Sequence, residues 1–416
     1  MKVASTTIDI TPRGEFWMEG YIHPVRKEPA LGVHDSPIAV LLLLEQGGNE
    51  VLFVSIDVCI VAASEIAALR SGLAACLAIE ERSIVISSIH SHSCANGFEG
   101  SSAMGIPITP GYVQMVTGAV IEGATRLRSS MVEASPELLF THVRGWYSNR
   151  NDAERPFDDE VYALRFRAED ASVVGAMLNF NCHATVVGPT NRLLTTDVIG
   201  AVRDELAEWI GTVPYTFTGA SGDLGNRQFR QGNDFAELRR VSNGIAGEIM
   251  KAAYNPIELK APIVWSFDHH VCYENSRFYP MYQQQLNDVL EMLAGDPTFD
   301  EKKLADTEKE MLEQQLRRGH MEFDIRMEVV DFGSVVFVTF PGELASDLGA
   351  YIKASFGGRR VIVIGYANDY QGYFVPEGDF GGTSYESYVT QMPRGWIEEV
   401  LADFRTQTVR EHQTWK

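Results

Sequence analysis

The stretch Ile84-Val-Ile-Ser-Ser-Ile-His90-Ser-His92-Ser-Cys94 joins a run of apolar and β-branched residues to a pair of histidines. Side chains two residues apart on a β-strand point to the same face of the sheet. If the strand continues to its histidines, both imidazoles project from one side of its carboxyl end. Two imidazoles so placed form half of a metal site, or one metal ligand beside a second imidazole that polarises a substrate. The pair alone is weak evidence, because short motifs are often structural.

Other predicted strands also end in a polar residue that can take part in chemistry. These residues are Asp57 after Val51–Ile56, His183 after Val173–Asn181, Glu343 after Val335–Phe340, and Tyr370 after Arg360–Tyr366. In α/β proteins, sites lie outside the carboxyl ends of strands, where loops present polar groups without breaking the core. Two histidines, a glutamate and a tyrosine suit the tetrahedral nitrogen and oxygen coordination of zinc. Histidine ligands disfavour magnesium and calcium.

Strand and helix patterns alternate irregularly along the chain. Helices are predicted at Ala62–Ala78, Val113–Arg128, Asp197–Trp209, Leu238–Ala253 and Leu344–Phe356, with strands between them. This order favours an α/β fold with a mixed β-sheet, or two packed sheets, flanked by helices. No repeat or linker divides the sequence, so residues 1–416 are predicted to form one domain. The charged stretch within 281–320 predicts a helical hairpin insertion and is a candidate lid.

Composition narrows the classes of partner. The chain has 416 residues, 45% hydrophobic and 22% charged, as in an ordinary soluble globular protein. Its net charge of −21 argues against nucleic acid or an anionic membrane surface as partner. We expect a small-molecule substrate and no membrane anchor, and a homo-oligomer stays open. Five dispersed cysteines and no visible secretory signal predict a cytoplasmic protein with reduced thiols.

Taken together, these motifs resemble those of the neutral/alkaline (non-lysosomal) ceramidases, in their zinc-binding amidase domain. In chain order the similar segments are Ile8-Asp-Ile-Thr-Pro12, Gly32-Val-His-Asp35, Ser55-Ile-Asp57, Ser88-Ile-His-Ser-His-Ser93, Asn149-Arg150, Asn179-Phe-Asn-Cys-His183-Ala-Thr185, Pro341-Gly-Glu343 and Gly365-Tyr-Ala-Asn-Asp-Tyr370. Each segment is short, but their shared order over roughly residues 3–400 is specific. The resemblance implies an amidohydrolase on a similar fold.

The resemblance also implies roles for individual residues. One zinc ion would be held by His90, His183, Glu343 and Tyr370. His92 and Arg150 would face the substrate carbonyl and stabilise the developing oxyanion; the alternative for Arg150 is a salt bridge to Asp158 or Asp159.

Four further residues are predicted to support the site or to contact substrate: Asp57, Asp197, Asn226 and Tyr373. Tyr373 competes with Tyr370 as the phenol of the metal site. Asp57 would hydrogen-bond a ligating histidine or cap the next helix, and Asp197 would cap its own helix.

One departure from the ceramidases bears on mechanism. Their glycine-rich loop carries a serine that has been treated as catalytic, and the matching loop here, Gly222-Asp-Leu-Gly-Asn226, has Gly225 at that position. Ser221 lies nearby, but at the wrong spacing. The secretory segment and the C-terminal immunoglobulin-like domain of the ceramidases are not visible either, so ceramide is not the expected substrate.

Three hypotheses follow for the function. The first is a zinc-dependent hydrolase that cleaves an amide or ester bond of a small polar molecule through metal-activated water. The second is a metal-dependent lyase or isomerase acting on a sugar or hydroxy acid, with Tyr370 or His92 as the base. The third is a protein that binds a metal or ligand without catalysis.

Overall fold

A computed structural model describes residues 1–98, 105–297, 299–380 and 384–414. The strands are β1 Lys2–Asp9, β2 Gly32–Val33, β3 Ile38–Gln46, β4 Asn49–Ile56, β5 Ile84–Ser88, β6 Val132–His142, β7 Ser148–Asn149, β8 Glu160–Ala168, β9 Val173–Asn179, β10 Leu193–Leu194, β11 Tyr215–Phe217, β12 Leu224–Gly225, β13 Asn255–Pro256, β14 Ile263–Glu274, β15 His320–Asp331, β16 Val335–Thr339, β17 Glu343–Leu344, β18 Arg360–Ile364 and β19 Tyr373–Phe374. The α-helices are α1 Ala63–Leu77, α2 Tyr112–Ala124, α3 Asp197–Ile210, α4 Phe235–Ile249, α5 Tyr279–Ala294, α6 Phe299–Arg317, α7 Ser346–Ala354, α8 Tyr385–Val389 and α9 Trp396–Thr414.

Two mixed sheets form the centre of the molecule. The larger has the strand order β11-β9-β8-β6-β1-β3-β4-β5, with β13 added beside β6. The smaller has the order β14-β15-β16-β18. Parallel pairs lie at both edges of the large sheet, β4 with β5 and β9 with β11, and β16 is parallel to β18 in the small one. The predicted α/β class with a mixed sheet is therefore confirmed.

The sheets pack face to face, and helices cover their outer faces. In β3, Val40, Leu42 and Leu44 belong to the core between the sheets, whereas Leu41 and Leu43 belong to the core shared with α1 and α2. Burial on both faces explains why this strand is apolar throughout rather than alternating. Helices α3 and α4 pack on β8 and β9, and α7 and α9 pack on the small sheet. The four layers form a single compact body.

The helical hairpin predicted within 281–320 is present as α5 and α6, inserted between β14 and β15. It has a small apolar core of its own, which includes Tyr282, Leu286, Val289 and Leu312. Residue 298, between the two helices, lies outside the described residues. The hairpin's role as a lid stays a prediction. None of the described helices combines the length and apolar character that crossing a membrane requires.

One acidic residue of this hairpin is buried. Glu308 of α6 is 5% exposed and lies beside Tyr282 and Tyr388. Burial, and then the neighbouring Asp288, raises the pKa of Glu308 from 4.5 to about 7. The folded chain therefore holds a proton that the unfolded chain releases between these two values. Stability falls as the pH rises through that range, because the folded state binds more protons there.

We predict that Glu308→Gln removes this loss of stability. At pH 8 the variant should unfold at a higher temperature than the wild type, with a gain of about 1–2 kcal/mol, whereas at pH 5 the two should be nearly equal. Thermal unfolding at both pH values measures the effect. The control is Glu310→Gln, an exposed position on the same helix. If Glu308→Gln keeps the wild-type pH dependence, the buried carboxyl does not titrate as proposed.

Candidate metal centre

Three histidine rings meet beyond the carboxyl ends of β5 and β9. The Nε2 atoms of His90 and His183 are 3.2 Å apart, and that of His92 lies 3.1 Å from each of them. Glu343 Oε2 lies 3.2 Å from His90 Nε2 and 3.7 Å from His183 Nε2. Ligands of a tetrahedral zinc ion at about 2.0–2.1 Å stand about 3.3–3.4 Å from one another. The cluster therefore has the spacing of a zinc site.

Hydrogen bonds at Nδ1 orient the rings of His90 and His183 so that their Nε2 atoms point into the cluster. His90 Nδ1 lies 2.9 Å from the carbonyl oxygen of Cys59, and His183 Nδ1 lies 3.3 Å from that of Ser221. A carbonyl only accepts, so each Nδ1 carries a proton and each Nε2 is directed at the cluster. Burial, and then Arg150 and the other histidines, holds the pKa of His183 well below its usual value. His183 is therefore neutral at pH 7.

The Glu343 carboxylate completes the set of donors. Glu343 is 2% exposed, and its Oε2 accepts no hydrogen bond from the described residues. Its other oxygen, Oε1, accepts a 2.5 Å hydrogen bond from the Tyr370 hydroxyl. An unpaired buried carboxylate oxygen among imidazole lone pairs is costly unless a cation binds there. Imidazole nitrogen with carboxylate oxygen matches the ligand preference of zinc.

Left-handed backbone conformations bring the rings of His90 and Tyr366 together. His90 has φ of 59° and Tyr366 has φ of 52°, in a region that non-glycine residues rarely adopt. Their rings stack with centroids 4.0 Å apart. Strain of this kind persists where the surrounding structure fixes it, and it is concentrated at functional sites.

Glycine is required on the other side of the cluster. Gly20 has φ of +96°, and a Cβ at this position would lie 2.4 Å from His92 Cα. The close approach of the Gly20 backbone therefore fixes the position of His92.

A buried arginine forms the adjacent wall. Arg150 is 8% exposed and forms an ion pair with Glu386, which is 2% exposed. It also donates a 3.3 Å hydrogen bond to the Tyr373 hydroxyl. Arg150, His92 and His183 all line a cavity of about 680 Å³. This volume suits a small molecule, so the donor cluster opens into a space in which a substrate fits.

Solved structures share this architecture. Neutral ceramidase from Pseudomonas aeruginosa aligns with 98% of this chain and 73% of its own, with a TM-score of 0.74 and 16% identity. The chain has a neutral ceramidase-like fold. A ceramidase complexed with C2 aligns with 98% of this chain and 74% of its own, with a TM-score of 0.74 and 14% identity. At these identities the likeness establishes the fold alone.

Sequence comparison finds a distant relative that aligns with only part of this chain. Neutral ceramidase from Oryza sativa subsp. japonica is 25% identical in an alignment of 233 positions, which covers 50% of this chain and 29% of the rice protein. The chain thus aligns with less than a third of that relative's length. No family model matches the chain. The resemblance to neutral ceramidases is borne out for the fold, and the roles of individual residues rest on the geometry of this site.

The structure brings His90, His183, Glu343 and Tyr370 into one cluster, as the resemblance implied. The path of the chain differs from the sequence prediction, because β5 ends at Ser88 before either histidine. The two imidazoles of the His-x-His pair therefore converge through a turn rather than by alternation on a strand. His92 lies at the cluster itself as well as on the cavity wall.

Asp57 has partners other than those predicted, and Asp197 supports the site through contacts that the sequence did not indicate. Asp57 accepts hydrogen bonds from Arg203 at 2.8 and 2.9 Å and from the Ile38 N–H at 2.9 Å. In the part of the chain that the structure describes, neither a histidine nor a helix terminus is its partner. Burial of the Arg203 guanidinium beside Asp57 accounts for this pairing. Thr196 rather than Asp197 occupies the N-cap position of α3.

Asp197 instead fixes the loop that follows His183. Its carboxylate accepts from the N–H groups of Val186 and Val187, at 3.0 and 2.9 Å, and from that of Val198 at 2.7 Å. This arrangement connects the histidine loop to the start of α3.

The glycine-rich loop lies against Arg150 and His183. A Cβ on Gly225 would meet Arg150 and His183 at 3.9 Å, which is an ordinary contact. A serine would therefore fit at this position, and packing does not explain its absence. The Ser221 hydroxyl is fully buried and lies 3.2 Å from that of Tyr366 and 3.1 Å from that of Thr218, so it does not replace the missing serine.

Sequence reasoning missed two residues that shape this site. Glu386 is the partner of Arg150, and the predicted alternatives are wrong, because Asp158 binds Lys353 and Asp159 binds His142 and Arg144. No local sequence pattern around Glu386 indicates that it pairs with Arg150. Tyr366, which stacks on His90, follows β18 directly within the motif that ends at Tyr370, so its position after a strand was an available signal.

We predict that the purified protein binds one zinc ion per chain at this cluster. Replacing His90, His183 or Glu343 by alanine should weaken zinc binding by about 100-fold or more, since the remaining donors no longer enclose the ion. Metal content after dialysis and competition with a chromogenic chelator measure the affinity. Saturation with zinc at about 100 times its Kd should stabilise the wild type by about 2.7 kcal/mol.

The matched control is His142→Ala, a half-exposed histidine outside the cluster. It should bind zinc like the wild type. Loss of zinc from this variant, or full zinc binding by the His183→Ala and Glu343→Ala variants, would place the ion elsewhere.

Proposed function

We propose that the protein is a zinc-dependent hydrolase that cleaves an amide or ester bond of a small polar molecule. The observation that carries this proposal is the convergence of three imidazole nitrogens and the Glu343 carboxylate beside the buried guanidinium of Arg150, at a cavity large enough for such a substrate. The neutral ceramidase-like fold supports the reaction class, because ceramidases cleave an amide bond.

The site residues have three roles in this proposal: metal binding, orientation of the carboxylate, and contact with the substrate oxygen. Zinc bound by His90, His183 and Glu343 would polarise a carbonyl and lower the pKa of water to about 7. Tyr370 donates its hydroxyl hydrogen to Glu343 and so fixes the orientation of the carboxylate. Arg150 presents N–H donors to the cavity, where they would meet the negative charge that develops on the substrate oxygen.

Glu386 positions the guanidinium that contacts the substrate oxygen, and Gly225 bears on the choice of nucleophile. The ion pair with Glu386 holds the Arg150 guanidinium in place, so its donors need no reorganisation during the reaction. Gly225 offers no hydroxyl beside Arg150 and His183, so we propose direct attack by water without a covalent acyl intermediate. Cytoplasmic location and a homo-oligomeric state stay predictions from the sequence.

The lyase and isomerase hypothesis has a weaker basis in the site. It requires Tyr370 or His92 as a base. Burial, and then Glu343, raises the pKa of Tyr370 well above its usual value, so the phenolate is scarcely populated at neutral pH.

The experiment that tests the proposal is hydrolysis of small acyl anilides and esters in water enriched in oxygen-18. We expect one heavy oxygen in the carboxylic acid product, loss of turnover with EDTA, and recovery on addition of zinc. A product that is unsaturated or isomerised and free of solvent oxygen would support a lyase or isomerase. Turnover that survives complete removal of metal contradicts the proposal.

We predict that Arg150→Gln lowers kcat by about 100-fold, because an N–H donor to the developing oxyanion is lost. KM should change much less. Glu386→Gln should lower kcat by a smaller factor, since the guanidinium remains but is no longer held by an ion pair. Steady-state kinetics with an activated anilide measures both variants, and Arg144→Gln, at an exposed ion pair, is the control. Equal kcat for Arg150→Gln and wild type would remove Arg150 from the reaction.

A further inference from the structure

The cavity above the metal cluster is unexpectedly cationic. The chain carries 56 acidic and 35 basic side chains, yet Arg150, Arg227 and Arg230 line this cavity, and none of its described lining residues is an aspartate or glutamate. A cleft lined by one sign of charge concentrates ligands of the opposite sign.

Arg227 and Arg230 form no ion pair with an aspartate or glutamate among the described residues. Arg150 is neutralised by Glu386, whereas Arg227 makes no ion pair or hydrogen bond through its guanidinium among the described residues. Arg230 donates only to neutral acceptors, the carbonyl oxygen of Thr185 at 2.9 Å and Asn226 Oδ1 at 3.0 Å. Burial, and then the positive charge of Arg150, lowers the pKa of Arg227; the charge of Glu386 opposes this shift, and that of Arg230 adds to it.

A buried amide beside them is also incompletely bonded. Asn226 is fully buried and lines the same cavity. Its Oδ1 accepts from Arg230, but its Nδ2 donates to no acceptor among the described residues. Buried donors normally find a partner, so one left over at a cavity wall indicates an acceptor that belongs to a ligand. We call Asn226, Arg227 and Arg230 the anion wall.

We propose that the anion wall binds a carboxylate or phosphate group of the substrate, at a distance from the bond that is cleaved. A guanidinium presents paired N–H donors that match two oxygens of either group, and the Asn226 amide adds another donor. The substrate class is then an amide or ester that carries a separate anionic group. The reaction part of this statement rests on the proposed hydrolase, whereas the anion wall has support of its own.

Matched substrates test the preference. Glutaryl p-nitroanilide carries a free carboxylate, and 5-oxohexanoyl p-nitroanilide has a neutral methyl ketone in its place and no second bond that a hydrolase would cleave. For the wild type we expect kcat/KM for anilide cleavage to be at least 10-fold higher with the free carboxylate. The double variant Arg227→Gln/Arg230→Gln should lose at least 10-fold of that ratio, mainly through KM. The control is Arg126→Gln, an exposed arginine on the segment after α2 that should keep the wild-type ratio.

Binding without turnover gives a second readout. Calorimetric titration of the zinc-loaded protein with inorganic phosphate and with glutarate should show binding that weakens at least 10-fold in the double variant and is kept in Arg126→Gln. The tighter of the two probes identifies phosphate or carboxylate as the preferred group. Arg227→Lys/Arg230→Lys should recover part of the affinity if the charge is what matters, and thermal unfolding verifies that each variant is folded.

The outcomes separate the two proposals. If neither anilide is cleaved but the double variant loses anion binding, the hydrolase proposal fails and the anion wall stands. If both anilides are cleaved with equal kcat/KM and the double variant binds both probes like the wild type, the hydrolase stands and the anion wall is overturned.

Discussion

The candidate site depends on holding four electron-pair donors close together. The nitrogens of His90, His92 and His183 and an oxygen of Glu343 are separated by 3.1–3.7 Å in the pairs measured. Neutral imidazole lone pairs and a carboxylate repel one another, so the surrounding fold must supply the restraint. Hydrogen bonds to the carbonyls of Cys59 and Ser221 provide part of it, because they fix both the rings and their tautomers.

The packing of the two sheets supplies the rest of the restraint. His90 and His183 follow strands of the large sheet, whereas Glu343 follows β16 of the small sheet. The core between the sheets, where Phe53 meets Phe337 with centroids 5.4 Å apart, therefore sets the distance between imidazole and carboxylate. Close-packed interiors transmit small displacements, so a change in the packing of this core would displace the donors of the cluster.

Local sequence was sufficient for the strands and for the residues placed at their ends. The unbroken apolar run of β3 indicated burial on both faces, and His90, His183, Glu343 and Tyr370 did meet at one centre, whereas Asp57 pairs with Arg203 instead. The pairing order of the strands was not predictable, because it depends on contacts between distant segments. The same limit applies to Arg203 beside Asp57 and to Glu386 beside Arg150, whose partners lie 146 and 236 residues away. Neither segment carries a periodic pattern that marks its partner.

The charge of the whole chain and the charge of the cavity act over different distances. A net charge of −21 would repel an anionic substrate, but salt screens exposed charges beyond about 8 Å at physiological ionic strength. Within the cavity, Arg227 and Arg230 form no ion pair among the described residues, so their N–H donors can meet an anionic group. The acidic outer surface and a cationic binding wall are therefore compatible. The acidic surface adds a barrier to approach that rising salt concentration lowers, and the arginines act once the substrate is inside.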